Sequence, residues 1–245
     1  MQFPVMRGVR HNNHRAMGEV ITLSVANHAM DSYVVKPKSE MIGGILVCMH
    51  GPGVDEFVRD ICKRLALEGY LVVAPNFYHR QGDDLVEPWS KLEDSEAIAD
   101  MRAAIDFLVS KTVPVVGVVG FCMGGRLGFL QLANDDRLCT GVIFHGGNIM
   151  VSRGSMPAPL DQSESISASI LSIFGGEDTN PSPADRDVIQ NRLSALRVPF
   201  RFVTYAGAGH AFLNFTRPSM YREEQAKSAW NLCVNWLREE MRRDV

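Results

Sequence analysis

Residues 115–125 read VVGVVGFCMGG. The first six are all valine or glycine and carry no charge. That density of β-branched residues suits a strand buried on both faces, as in a parallel sheet. The following RLGFLQLA (126–133) has the apolar spacing of a short helix. Between the two, Cys122 stands two residues after Gly120 and two before Gly124. This is the G-x-S-x-G pattern of a nucleophile elbow, with cysteine in the serine position. A strand that turns sharply into a helix brings neighbouring backbone into contact, and glycines 120 and 124 place no Cβ there. The same bend sets the sulfur over a helix N-terminus, where free N–H groups and the dipole favour a thiolate.

Outward from this stretch, apolar runs and helical spacings alternate from Gly43 onward, the mark of a parallel sheet with helices on both faces. Strands are expected at 45–49, 71–75, 115–120, 141–145, 170–174 and 200–205. Helices are expected at 57–68, from Asp94 or Ser95 to Lys111, after Cys122, at 187–196 and at about 219–242. Residues 19–24 and 30–35 form an antiparallel hairpin around Ala-Asn-His. Two long connections, 76–93 and 146–165, show little periodicity, and loops of that length at strand ends are often functional. Residues 1–16 read as a polar segment preceding one domain at 17–245. His11 and His14 within it have no further ligands nearby and read as solvated rather than metal-binding.

A chain of 245 residues with 46% hydrophobic and 22% charged residues fits one domain with a sizeable core. A net charge of −3 gives no electrostatic case for nucleic acid or an anionic membrane. No run is long and apolar enough to span a bilayer, and the N-terminus lacks a signal-peptide core. Five cysteines, an odd number with no C-x-x-C pair, point to reduced thiols and a cytoplasmic setting. Neither G-x-G-x-x-G nor a glycine-rich loop ending in G-K-[ST] is present, which argues against dinucleotide or phosphate chemistry.

Open α/β sheets place ligands at the carboxyl ends of their strands. Three such ends carry Cys122, Asp178 in GGED (175–178) and His210 in AGAGH (206–210). Each alone has an ordinary reading: a packed cysteine, a helix cap, a loop histidine. Together they give the chain order nucleophile, acid, histidine of α/β-hydrolases. A thiol near its free pKa needs an imidazole to take its proton, and the imidazole needs a carboxylate to fix its tautomer. The N–H of Met123, just past the nucleophile, and that of Gly51 in HGPG (50–53) are the candidate oxyanion donors, although Gly-Pro-Gly also suits a simple turn.

With these residues in place the sequence resembles the dienelactone hydrolase (carboxymethylenebutenolidase) family, from about Ile42 to Leu237. GFCMGG (120–125), GGED and AGAGHAF (206–212) match its three catalytic segments, and EGYLVVAPNFYHRQG (68–82) resembles the stretch after its first crossover helix. The resemblance implies an α/β-hydrolase fold, a mostly parallel central sheet with helices on both faces, and an N-terminal antiparallel hairpin. It also implies a Cys-His-Asp hydrolase that opens an unsaturated lactone, with Arg80 binding a substrate carboxylate. Two positions depart from the family. His50 stands where a glutamate is usual, and Asn214 where an arginine follows the catalytic histidine by four residues; the sequence leaves open whether Arg217 substitutes.

The expected activity is therefore hydrolysis of a carboxylic ester or lactone through a cysteinyl acyl-enzyme at Cys122, His210 and Asp178. Arg80, His50, Tyr78, Phe212 and Asn214 are the expected substrate contacts. No metal or organic cofactor is required, the partner is a small-molecule substrate, and the chain is a monomer or homodimer. A thioesterase or short-chain esterase with Tyr78, Trp89 and Phe212 as an acyl pocket is the alternative, followed by a catalytically silent ligand-binding scaffold.

Overall fold

The computed structural model describes residues 17–82 and 86–242, so the histidines at 11 and 14 lie outside the described residues. Strands β1 (Gly18–Val25) and β2 (His28–Val35) form the expected hairpin. Its turn residues Ala26 and Asn27 both have positive φ, the conformation whose twist suits a two-residue hairpin. There follow β3 (Gly43–Cys48), α1 (Glu56–Leu67), β4 (Tyr70–Pro75), α2 (Asp94–Ser110), β5 (Val116–Phe121) and α3 (Met123–Leu132). The chain then runs through β6 (Leu138–Phe144), β7 (Ser169–Gly175), α4 (Pro183–Ala195), β8 (Phe200–Tyr205) and α5 (Glu223–Glu240).

The eight strands lie in the order β1-β2-β4-β3-β5-β6-β7-β8. The hairpin joins β4 antiparallel, and every pairing from β4 through β8 is parallel. The chain steps from β3 outward to β4, then crosses back to β5 on the other side of β3. That reversal opens a crevice at the carboxyl ends of β3 and β5. Strands β3, β4, β5 and β7 are buried along their whole length, as in a parallel sheet covered on both faces. Helices α1 and α5 share one face, where the Arg64 guanidinium lies 3.8 Å over the Trp230 ring. Helices α2 and α3 pack together on the opposite face.

Two helix starts differ from the sequence reading. Helix α4 starts at Pro183 rather than 187, because Ser182 and Asp185 form a reciprocal capping box around a proline in the first turn. Helix α5 starts at Glu223, since residues 211–221 are taken up by successive turns. Each long connection contains a 3₁₀ turn, Pro88–Lys91 in the first and Pro159–Ser165 in the second. No helix among the described residues is long and apolar enough to cross a membrane.

Candidate active site

Cys122 occupies the bend between β5 and α3 with φ +54° and ψ −116°. A non-glycine residue there carries backbone strain of about 1–3 kcal/mol, tolerated where the surroundings over-determine it. The surroundings do so through close backbone approach. A Cβ on Gly120 would collide with the Gly124 carbonyl, and one on Gly124 with the Cys48 carbonyl at the end of β3. The Cys122 N–H donates to Phe144 O at 3.0 Å and to His145 Nδ1 at 3.1 Å. The thiol is half-buried at the start of α3.

His210 stands beside it on the loop after β8. Its Nδ1 lies 2.8 Å from Asp178 Oδ2. Asp178, buried after β7, accepts the Asn180 N–H at its other oxygen at 2.9 Å. The buried Arg186 guanidinium donates to the carbonyls of Gly175, Asp178 and Pro181, which fixes the acid-bearing loop. The acid, the ring and the sulfur are thus positioned by β7, β8 and β5 in turn.

Burial pushes the Cys122 thiol up, but the hydrogen bond and charge of His210 and the Met123 N–H outweigh it, and the thiol lies below its ordinary value. Burial also opposes charge on His210, yet its bonds to Asp178 and Cys122 push it up to about 10. Both shifts favour the charged forms of the two groups. Buried Cys48, Cys62 and Cys233 are pushed upward by desolvation instead, so Cys122 stands apart from them in the direction of its shift.

A cavity of about 310 Å³ opens over the sulfur. That is room for a small ligand. Gly51, Met123, His50, Cys122 and His210 all line it, so the expected oxyanion donors and nucleophile meet in one space. His50 is buried, with Nε2 2.8 Å from Asp55 Oδ2 and its ring tilted against Phe57. A larger depression of about 720 Å³ between α1 and Phe215 is lined mainly by charged side chains and contains none of Cys122, Asp178 and His210.

The other expected contacts are not on the cavity wall. Arg80 binds Asp100 of α2 through both terminal nitrogens, at 2.8 and 2.7 Å, and its guanidinium is committed there. Tyr78 donates its hydroxyl to Gly51 O at 2.7 Å and touches Met123 Sδ at 3.5 Å, bracing the loop rather than facing a ligand. Phe212 is wholly buried against Tyr205. Asn214 is buried too, and its Oδ1 accepts from the N–H and hydroxyl of Thr216 to close a turn. Cationic groups come instead from Arg153 and Arg217, which line the cavity with Trp89, Asn148 and Asn180. Arg153 donates to the Trp89 carbonyl at 2.8 Å. Sequence spacing pointed to Arg217 by its nearness to His210; nothing in the aperiodic 146–165 segment singled out Arg153.

The profile of the Dienelactone hydrolase family matches residues 30–241, nearly the whole described chain. The chain belongs to the dienelactone hydrolase family. Relatives in that family include a "Putative carboxymethylenebutenolidase" of Salmonella typhimurium, 32% identical over 222 residues, which cover 85% of this chain and 82% of the relative. A protein of the same description from Methylorubrum extorquens is 34% identical over 208 residues, covering 80% and 71%. Among solved structures, a "Putative Dienelactone Hydrolase" from Klebsiella pneumoniae superposes with a TM-score of 0.82 at 28% identity, covering 90% of this chain and 97% of that one. A dienelactone hydrolase-like promiscuous phosphotriesterase from metagenomic libraries shares the fold, with a TM-score of 0.79 at 18% identity over 92% and 99%. Family membership makes this chain a hydrolase with the α/β-hydrolase fold.

Proposed function

We propose that this hydrolase cleaves a carboxylic ester or lactone through a cysteinyl acyl-enzyme. The observation that carries the reading is the half-buried Cys122 sulfur on a strained bend, served by a His210–Asp178 relay within one small cavity. The Cys122 thiolate adds to the carbonyl carbon, forming the C–S bond and moving the carbonyl π electrons onto oxygen. Met123 N–H and Gly51 N–H hold that oxyanion. Collapse re-forms the carbonyl and breaks the C–O bond, and the His210 imidazolium gives its proton to the departing oxygen. In a lactone the departing oxygen stays tethered to the acyl group, so ring opening leaves one product on the sulfur. Neutral His210 then takes a proton from water as it attacks the thioester. Collapse expels the thiolate and returns the resting pair with a free carboxylic acid.

Arg153 and Arg217 supply the cationic anchoring for a substrate carboxylate that Arg80 was expected to give. Of the three aromatics that a linear acyl pocket would need, only Trp89 reaches the cavity. The compact, cation-rimmed space therefore favours a small anionic ester or lactone over a long acyl thioester.

Two measurements test this. Rapid quenching during turnover of an activated ester, followed by peptide mass spectrometry, is expected to find the acyl group on Cys122; its consistent absence there under burst conditions removes the covalent mechanism. Arg153→Met is expected to raise KM for a carboxylated lactone about tenfold, the scale of one charge-assisted contact, and to leave a neutral ester of the same size within about twofold. Equal effects on both substrates would show that Arg153 does not read the carboxylate.

A further inference from the structure

His145 follows β6 directly and was not singled out by any sequence pattern. It is buried, and its backbone takes φ +40°, a left-handed conformation that few non-glycine residues adopt. Its N–H is satisfied by Ile173 O at 2.8 Å. Its Nδ1 accepts the Cys122 N–H at 3.1 Å, although that N–H already reaches Phe144 O at 3.0 Å. The second acceptor is not needed to satisfy a buried donor. Its ring centroid lies 4.5 Å from that of His210, tilted by 57°. One side chain thus touches both the backbone of the nucleophile and the ring of the base.

We propose that His145 is a positioning residue, accepting the Cys122 N–H at Nδ1 while its ring walls His210 and keeps sulfur and imidazole in register. The proposal rests on the hydrolytic reading above. Because Nδ1 accepts, the ring proton sits on Nε2 and a single neutral tautomer is selected. Adding a second proton would set an N–H against the Cys122 N–H. The groups that face the ring point the same way. Burial first, then His210 and His50, hold the imidazole well below its ordinary value, so the imidazolium of His210 never meets a second cation there. The strained backbone after β6 puts a neutral acceptor where a smaller residue would leave the elbow and the His210 ring free to shift.

The test compares His145→Leu, which has neither acceptor nor ring, with His145→Asn, whose Oδ1 stands near the place of Nδ1. Turnover of an activated ester and the pH dependence of Cys122 alkylation by iodoacetamide are measured on folded protein. His145→Leu is expected to lower kcat about 30-fold, the scale of a sub-ångström misplacement, with KM within about twofold. Its alkylation limb is expected to move up towards the ordinary thiol range, because a displaced sulfur loses His210 and the Met123 N–H. His145→Asn is expected to restore most of kcat and the original limb. A Leu variant with wild-type kcat and limb overturns the proposal, as do equal losses in both variants with the limb unmoved, which would mean bulk packing alone. If His145→Leu does not fold, His145→Asn decides: a limb in the ordinary thiol range overturns the proposal. Alkylation needs no substrate, so failure here is distinct from failure of the ester-hydrolysis reading.

Discussion

Cys122→Ala is expected to lower kcat/KM for any ester or lactone substrate by about 10⁴-fold or more while leaving the fold intact. Loss of a nucleophile in such a unit leaves only binding and oxyanion stabilisation, a small remnant of the full rate. The side chain is half-buried and small, so alanine creates little void, and the stability change is expected to stay within about 1 kcal/mol. Steady-state kinetics beside a urea denaturation curve check both statements. Wild-type turnover in a folded Cys122→Ala protein would end the covalent mechanism. In the same variant His210 loses the anionic partner that helps raise it to about 10, so its NMR titration is expected to move down. Only the Asp178 bond remains to oppose the burial that disfavours its charged form.

The largest expected loss of stability lies at Arg126 of α3. Its guanidinium is buried and pairs with buried Asp94 at the start of α2 through Nη1–Oδ1 and, at 2.8 Å, Nη2–Oδ2. The same group donates to Asn148 O at 3.0 Å and to Val151 O at 2.6 Å. Four contacts thereby tie the elbow helix to α2 and to the loop that carries Arg153. Arg126→Met strands a carboxylate in the interior and is expected to cost about 3–5 kcal/mol, read as a drop in the urea midpoint. Adding Asp94→Leu removes the stranded charge and is expected to recover much of that loss. Turnover is expected to stay low in the double variant, since the carbonyls of Asn148 and Val151 still lack their donor. A single variant as stable as wild type would show that the pair contributes nothing to the fold.

The segments carrying Cys122, Asp178 and His210 were legible because each joins a strand to a glycine-rich bend. Gly120 and Gly124 announce backbone crowding, and an apolar run before GGED or AGAGH announces a strand end. The cavity wall was less legible, because Trp89, Gly147, Asn148 and Arg153 reach it from the two aperiodic connections. Arg80 illustrates the difficulty. In NFYHRQG it reads as an exposed loop cation, but Asp100, twenty residues on, lies on the buried face of α2 and captures it. A carboxylate within an inward stripe beside Ile98 and Met101 was the available signal that some cation must meet it. Asn214, at the family's arginine position, and Phe212, of the expected acyl pocket, follow His210 closely, yet the turns after β8 point both into the interior. His145 has no sequence signature, since its role depends on β6 lying beside β5.

The Tyr78 hydroxyl on the Gly51 carbonyl gives Arg80 a different importance from the one first expected. Tyr78, His79 and Arg80 are consecutive, and the last two are clamped by Asp100. The carbonyl of Gly51, whose N–H is one candidate oxyanion donor, is therefore guyed, through a phenol and then an ion pair, to the middle of a helix on the sheet's face. Slack in that rigging would loosen the grip on developing negative charge and leave the encounter with substrate untouched, so it would register in turnover rather than in affinity.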